Sequence, residues 1–148
     1  MPEIIGIDHI YIAVSDIDRS ATFYDSVMDI LGFRRSEFKL NNEEHIQYSN
    51  RCFGYVLRPA HGKDKYNSYA PGLHHFCMRV ESKEEVQEIA NSLSEKGISI
   101  RGPKLYPEYA HDYYAVFVKD PDGIELEITN FRHERKERYV NWGTKQQG

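Results

Sequence analysis

The chain has 148 residues, a formal charge of −4, a hydrophobic fraction of 40% and a charged fraction of 28%. This length fits one globular domain that needs no disulfides, and the acidic balance offers no basic field to nucleic acid. Cys52 and Cys77 lack CxxC spacing, which excludes a zinc ribbon and favours a reduced, cytoplasmic location. The first residues carry no basic region, and no apolar stretch reaches membrane-spanning length, so we expect neither a signal peptide nor a membrane partner.

The first predicted element is a strand that begins at His9 and alternates apolar residues up to Val14, which gives it one buried face with His9 on the other. A helix is predicted next, over residues 16–31, because apolar residues recur at helical spacing and Gly32 provides a C-terminal stop. Three further strands are predicted at about residues 33–39, 44–49 and 52–58, with Asn41-Asn42 as a turn between the first two.

The second half repeats this order. A strand begins at His75 with the same alternation, and His74 falls in register with its apolar face, which excludes His74 as a ligand. Ser82 and Glu85 form a capping-box pattern at the start of a helix that Gly97 ends. The remaining strands are predicted at about residues 98–104, 113–119 and 124–129, with Asp120-Pro121-Asp122-Gly123 as a turn.

The repeated order predicts an α+β fold of two βαβββ modules that form a half-open, barrel-like sheet with helices outside. The modules are expected at about residues 6–59 and 73–130, within one domain over 1–130. Residues 131–148 are interpreted as a charged C-terminal tail, either solvated or an edge helix.

Three polar residues are candidate metal ligands. His9 and His75 occupy equivalent strand positions, so a twofold relation between the modules would make them face each other. Glu127 lies with Glu125 and Thr129 on the polar face of the last strand, which we expect to point into solvent or a cavity. Two imidazoles and a carboxylate with open positions suit a divalent ion: Fe, Mn, Ni, Co or Zn.

These residues resemble the vicinal oxygen chelate superfamily, which includes glyoxalase I, extradiol dioxygenases and bleomycin-resistance proteins. The resemblance covers residues 6 to about 130. It rests on Asp8-His9-Ile10, on Leu73-His74-His75-Phe76, and on Asp120-Pro121-Asp122-Gly123 followed by Glu127. It implies that His9, His75 and Glu127 bind metal, that the substrate is a small molecule with vicinal oxygens, and that the chain is a homodimer.

Two departures from the family narrow this expectation. The family often has a fourth metal ligand, and its position in this chain is Tyr55 or Val56, neither of which is a usual ligand. Extradiol dioxygenases have a tyrosine three residues before the Asp-Pro pair, where this chain has Phe117. Acid–base candidates are Glu127 itself, Glu125 on the same strand face, and three residues near the start of the strand predicted at about residues 113–119. These residues are His111, Tyr113 and Tyr114, among which Tyr114 and His111 are the predicted catalytic pair with Glu127.

Three functions stay open at this point. The first is a metal-dependent lyase, isomerase or dioxygenase, in which Arg79 either neutralises an anionic substrate or forms a salt bridge. The second is a metal-free protein that sequesters a ligand, like bleomycin-resistance proteins, in a groove lined by tyrosines. The candidates for that groove are Tyr55, Tyr66, Tyr69, Tyr106 and Tyr109. The third is a structural or regulatory dimer with a relic triad.

Overall fold

The structure, a computed structural model, describes the backbone of residues 1–145 and the side chains of residues 1–143. The chain divides into two compact units. Unit 1 comprises Met1–Asn67 and Asp120–Ile124, and unit 2 comprises Ser68–Lys119 and Glu125–Gly148. Each unit holds one four-stranded mixed sheet and one long helix. The α+β prediction with two βαβββ modules is thereby confirmed.

Unit 1 contains β1 (His9–Val14), α1 (Ile17–Ile30), β2 (Arg34–Leu40), β3 (Glu43–Ser49) and β4 (Gly54–Pro59). Its sheet has the order β1-β4-β3-β2, with β1 and β4 parallel and the other neighbours antiparallel. Ile12 and Val14 are buried, as the alternation predicts, together with Tyr24, Val27 and Met28 of α1. The apolar face of the sheet is thus the one that α1 covers.

The turn Asp120–Ile124 contributes side-chain contacts to unit 1. The Tyr24 hydroxyl donates to Asp120 Oδ2 at 2.8 Å and lies 2.9 Å from the Tyr55 hydroxyl. Asp122 accepts from the Ser15 backbone N–H at 3.0 Å and pairs with Arg19 at 3.2 Å. These bonds fix the beginning of α1 and its buried tyrosine to a segment 96–107 residues further along the chain.

Unit 2 repeats the order with β5 (His75–Val80), α2 (Lys83–Glu95), β6 (Arg101–Leu105), β7 (Tyr114–Lys119) and β8 (Glu125–Asn130). Its sheet has the order β5-β8-β7-β6, with β5 and β8 parallel. The helix side of this sheet is filled by fully buried aliphatic residues: Val86, Ala90, Leu93, Val116, Leu126 and Ile128.

The two helices end as the sequence predicts. Gly32 and Gly97 adopt φ values of +84° and +76°, which a residue without Cβ reaches at little cost. In each case the N–H of the following residue bonds to a carbonyl five residues back, Phe33 to Met28 and Ile98 to Leu93. The Ser82–Glu85 capping box at the start of α2 is also present.

Two short helices follow β8: α3 (His133–Val140) and α4 (Trp142–Lys145). The charged segment that begins at residue 131 is therefore helical over most of its described length. Its first residues are anchored to unit 2, since Phe131 N–H donates to Val80 O at 2.8 Å and Lys136 pairs with Glu81. Among the described residues, no helix is long and apolar enough to cross a membrane.

Candidate functional site

We call the sheet of unit 1 sheet 1 and the sheet of unit 2 sheet 2, and the face that the helix of the unit does not cover the polar face of that sheet. The polar face of sheet 2 carries the two candidate ligands of unit 2, His75 and Glu127. In the parallel pair β5–β8, His75 lies opposite Glu125 and Cys77 opposite Glu127. Paired residues of a sheet point to the same side. His75, Cys77 and Glu127 therefore share one face, and α2 packs on the other.

Glu127 is held from two sides. Its Oε1 lies 3.3 Å from His75 Nε2, and its Oε2 accepts a short hydrogen bond from the Tyr113 hydroxyl. Tyr113 thus distinguishes the two carboxylate oxygens, because it occupies Oε2 and leaves Oε1 facing the imidazole. Burial, followed by the bond to Glu127, raises the pKa of Tyr113, so its hydroxyl stays protonated and remains the donor.

Glu127 does not face solvent, because its exposed fraction is only 3%. It lies instead beside a small aromatic core on the same face of the sheet, made of Tyr106, Phe117 and Tyr113 with Ala115. Phe117 is directly opposite Glu127 in the β7–β8 register. Burying a carboxylate is costly unless donors or a cation compensate for the lost water, so the contacts with Tyr113 and His75 carry this compensation.

Cys77 is the strand neighbour of Glu127. Burial, reinforced by the negative charge of Glu127, raises the pKa of its thiol to about 12. A thiol in this state is protonated and a poor nucleophile at neutral pH, because nucleophilic attack needs the thiolate. Its place in the site is that of a small, neutral neighbour.

His75 is oriented by the residue before it. Its Nδ1 lies 2.8 Å from Nδ1 of His74, so one of these nitrogens donates to the other. When His75 Nδ1–H is the donor, the lone pair of its Nε2 points toward Glu127. A histidine that binds metal usually donates its second ring N–H to a neighbour in this manner. His74, excluded as a direct ligand, thus has a positioning contact that the strand alternation did not indicate.

His9 has the equivalent arrangement in unit 1. Its Nδ1 lies 2.7 Å from Oδ2 of Asp8, again the preceding residue, so Nε2 is the atom left for a ligand. His9 lines a cleft of about 480 Å³ on the polar face of sheet 1. The β3–β4 turn forms part of this cleft, and Asn50 holds the turn by accepting the backbone N–H groups of Cys52 and Phe53.

The strand register identifies the unit 1 counterpart of Glu127. Val56 lies opposite Tyr11, the third residue of β1, as Glu127 lies opposite Cys77, the third residue of β5. Between the two candidates for the fourth family position, Val56 is therefore the match, and it cannot bind metal. Tyr55 points to the other side, where it is fully buried against Tyr24. Its proposed place in a tyrosine-lined groove is wrong.

The other predicted residues have different environments. Tyr114 donates its hydroxyl to Gln87 of α2 at 2.7 Å, on the helix side of the sheet, whereas its neighbour Tyr113 contacts Glu127. His111 is almost fully exposed, with Nδ1 3.8 Å from Asp112. Catalytic roles for Tyr114 and His111 stay predictions. Arg79 forms no salt bridge within the described chain and stacks on Phe131, with its Cζ 3.8 Å from the ring centroid.

The donor types at the paired site fit a divalent ion, since an imidazole nitrogen and a buried carboxylate oxygen face each other. Within residues 1–143, however, no three His, Cys, Asp or Glu side chains are grouped to hold a metal. The structure thus brings together His75 and Glu127, and His9 belongs to the other unit.

The sequence identifies the superfamily to which the chain belongs. Residues 6–128 match the family model of the Glyoxalase/Bleomycin resistance protein/Dioxygenase superfamily. Because this match spans most of the chain, the chain belongs to that superfamily. The uncharacterized protein YqjT of Bacillus subtilis (strain 168) is 28% identical over 124 residues, which cover 81% of this chain and 94% of that protein.

Solved structures share the fold. A glyoxylase/bleomycin resistance protein/dioxygenase domain from Frankia sp. EAN1pec has a TM-score of 0.71 at 22% identity, covering 88% of this chain and all of that chain. A lactoylglutathione lyase from Agrobacterium tumefaciens has a TM-score of 0.60 at 21% identity, with coverages of 87% and 94%. TnmS3, an antibiotic binding protein from Streptomyces sp. CB03234, has a TM-score of 0.63 at 19% identity, with coverages of 88% and 98%. At these identities the likeness concerns the fold alone.

Proposed function

We propose that this protein binds a divalent metal ion through His75 and Glu127, with His9 as a third ligand, and acts on a small substrate with vicinal oxygens. The observation that carries the proposal is the pairing of His75 Nε2 with Glu127 Oε1 at 3.3 Å. Two ligands about 2.1 Å from one ion at 90–110° to each other lie about 2.9–3.5 Å apart. The observed separation is in this interval.

The hydrogen bonds around the ligands support the same proposal. Asp8 and His74 each engage Nδ1 of the following histidine, so both Nε2 atoms are oriented for a ligand. Tyr113 engages Oε2 of Glu127, so Oε1 is the atom left for the ion. Outer contacts of this kind fix the tautomer and direction of metal ligands.

A bound ion would supply a Lewis acid for two neighbouring substrate oxygens. The chain itself supplies the rest of the site. Glu127 brings a buried negative charge, and the Tyr106–Phe117 aromatic core excludes water from one side of it. The activity that we propose is that of a lyase, an isomerase or a dioxygenase, and among acid–base groups Tyr113 is the hydroxyl that lies at the carboxylate.

Metal binding is tested on untagged full-length protein treated with chelator and titrated with Mn²⁺, Fe²⁺, Co²⁺, Ni²⁺ and Zn²⁺ by calorimetry. We expect one site per chain and a loss of about hundredfold or more in affinity for H75A and E127Q, because even outer-contact changes cost about 10–100-fold. H9A tests the third ligand separately. The matched control is H133Q, because His133 is an exposed histidine on α3. Absence of saturable binding for all five metals would refute the proposal.

A metal-free binding protein is the second candidate, and the cleft beside His9 favours it. With a volume of about 480 Å³ it is within the range of small-molecule pockets, and the fold is shared with the antibiotic binding protein TnmS3. In this case H75A and E127Q would leave ligand binding unchanged, because neither residue lines the cleft, whereas H9A would weaken it. Retention of ligand binding by H75A and E127Q would favour sequestration over catalysis.

We also propose that the chain forms a homodimer. Residues Ile4, Ile5 and Ile7 near the N-terminus are exposed by 90%, 96% and 63%. Contiguous exposed apolar side chains are typical of surfaces that a partner covers. Light scattering after size exclusion is expected to give twice the 17.3 kDa chain mass, and I4D/I5D is expected to give the monomer. A monomeric wild type would refute this part alone.

A further inference from the structure

Arg132 is buried beside Tyr113, the residue that donates to Glu127, and has no carboxylate partner in the described chain. Arg132 is only 6% exposed, and its Nε is buried without a hydrogen-bond partner. No carboxylate among the described residues forms a salt bridge with it. Buried charges are normally paired, because removing an ion from water is costly. An unpaired buried cation at a candidate active site therefore indicates a missing anion.

Tyr113 connects this cation to the site. The Arg132 Cζ lies 4.3 Å from the centroid of the Tyr113 ring, and the hydroxyl of the same ring donates to Glu127 Oε2. The cation–π contact offsets part of the cost of burying Arg132. It does not satisfy the buried Nε–H, which is a donor that needs an acceptor.

Arg79 lies on the same face of sheet 2, since it is in register with Thr129 two residues beyond Glu127. It stacks on Phe131, the residue before Arg132. Arg79 is exposed, and its pKa is lowered by the partial burial of its side chain and by the positive charges of Arg132, Arg138 and Arg135. The guanidinium groups of Arg79 and Arg132 thus repel each other. No carboxylate of the described chain forms a salt bridge with either of them. An anion between them would remove this repulsion.

We propose that Arg79 and Arg132 form an oxyanion-binding subsite, which holds a carboxylate or phosphate group of the ligand that reaches His75 and Glu127. A guanidinium presents N–H groups in a planar fork that matches both kinds of oxyanion. Arg79 is four residues from His75 along β5, about 13 Å at ~3.3 Å per residue. The ligand would then be an elongated small acid with its charged group at one end and its reacting oxygens at the other.

This inference places a second recognition element in the site of the proposed function, but its test does not need metal. Chelator-treated full-length protein is titrated with inorganic phosphate and with malonate at constant ionic strength, by calorimetry and thermal unfolding. We expect saturable binding of one of these anions, and the anion that binds identifies the charged group. R79Q and R132Q are each expected to weaken it about tenfold or more, the loss of one charge-assisted contact.

The variants separate recognition from folding. R132K retains the positive charge but lacks the planar fork, so we expect a smaller loss of anion affinity than in R132Q. R79Q leaves the contact between Arg132 and the Tyr113 ring in place. The matched control R34Q makes the same charge change on an exposed residue of β2 in unit 1 and is expected to bind the anion as the wild type does. The metal affinity of R79Q, measured in parallel, is expected to be unchanged, so failure of the subsite and failure of the metal site are distinguishable.

Three results would overturn the inference. The first is the absence of saturable binding of both anions by the wild type, and the second is equal binding by R79Q, R132Q and R34Q. The third is a loss of dimer mass in R132Q without any change in anion affinity. That outcome would show that the partner of Arg132 is a carboxylate of a second copy.

Discussion

The hydroxyl of Tyr113 is expected to stabilise both the fold and the site, and Y113F removes that hydroxyl alone. The bond that is lost ends on Glu127, which is buried and charged, and hydrogen bonds to charged groups contribute about 1.5–3 kcal/mol. Because Tyr113 is only half-buried, we take the lower half of this interval. With a urea dependence of about 2 kcal/mol per molar, the midpoint should fall by about 0.7–1 M.

The adjacent residue provides the matched control. Y114F makes the same chemical change one position further on, where the hydroxyl donates to the neutral side chain of Gln87. A neutral bond near the surface contributes about 0.5–1 kcal/mol, so its midpoint should fall by half as much or less. The measurement is equilibrium urea unfolding at pH 7, followed by circular dichroism.

Metal affinity provides a second measurement on the same pair of variants. Y113F is expected to weaken metal binding about tenfold, because Glu127 loses the contact that orients it, and Y114F is expected to leave it unchanged. Equal midpoints for Y113F and Y114F would refute the role of Tyr113 as a positioning residue for the carboxylate. So would metal affinities that do not differ between the two variants.

Three further predictions concern the fold. Y24F should lower the free energy of unfolding by about 1–3 kcal/mol in urea titrations, because Asp120 then keeps a buried oxygen without its donor; a loss below about 0.5 kcal/mol would contradict this. Burial raises the pKa of Tyr24 and Tyr55 far above the unfolded value of about 10. Only the unfolded chain then releases these protons, so the part of the stability that these two hydroxyls contribute should be constant below about pH 10 and be lost above it. A free energy of unfolding that does not fall between about pH 10 and pH 12 would contradict the burial of both hydroxyls. S82A should cost about 1 kcal/mol in thermal unfolding, since it breaks the capping box of α2, and S94A, at the exposed end of the same helix, is its control.

The repeated order of the elements could be predicted because it depends on local rules. Alternation marked β1 and β5, helical spacing marked α1 and α2, and glycine stops marked the helix ends, all within about three residues of the observed bounds. Asn41 and Asn42 both adopt positive φ, 52° and 65°, which is the conformation that the two-residue β2–β3 turn needs. These features are properties of short segments, and short segments are what a single sequence reveals.

The surroundings of the site could be predicted less well, because they depend on contacts between distant segments. The alternation placed Glu127 on the polar face of β8, but its burial results from the aromatic core that Tyr106 and Phe117 contribute from β7 and the loop after β6. Arg132 was counted with a solvated charge run, yet the docking of residue 131 on β5 buries it. Tyr114 and His111 were the predicted acid–base residues, and that the contact with Glu127 is made by Tyr113 depends on where β7 begins.

The turn at Asp120–Ile124 has a consequence for how the two modules can be separated. Because this turn clusters with unit 1 although it connects two strands of unit 2, the chain passes from one unit to the other three times. A fragment that ends at residue 67 would lack Asp120 and Asp122, and with them the partners of Tyr24 and Ser15. Any chimera that exchanges the first module between relatives must therefore carry five residues of the second half with it, or replace the bonds they make.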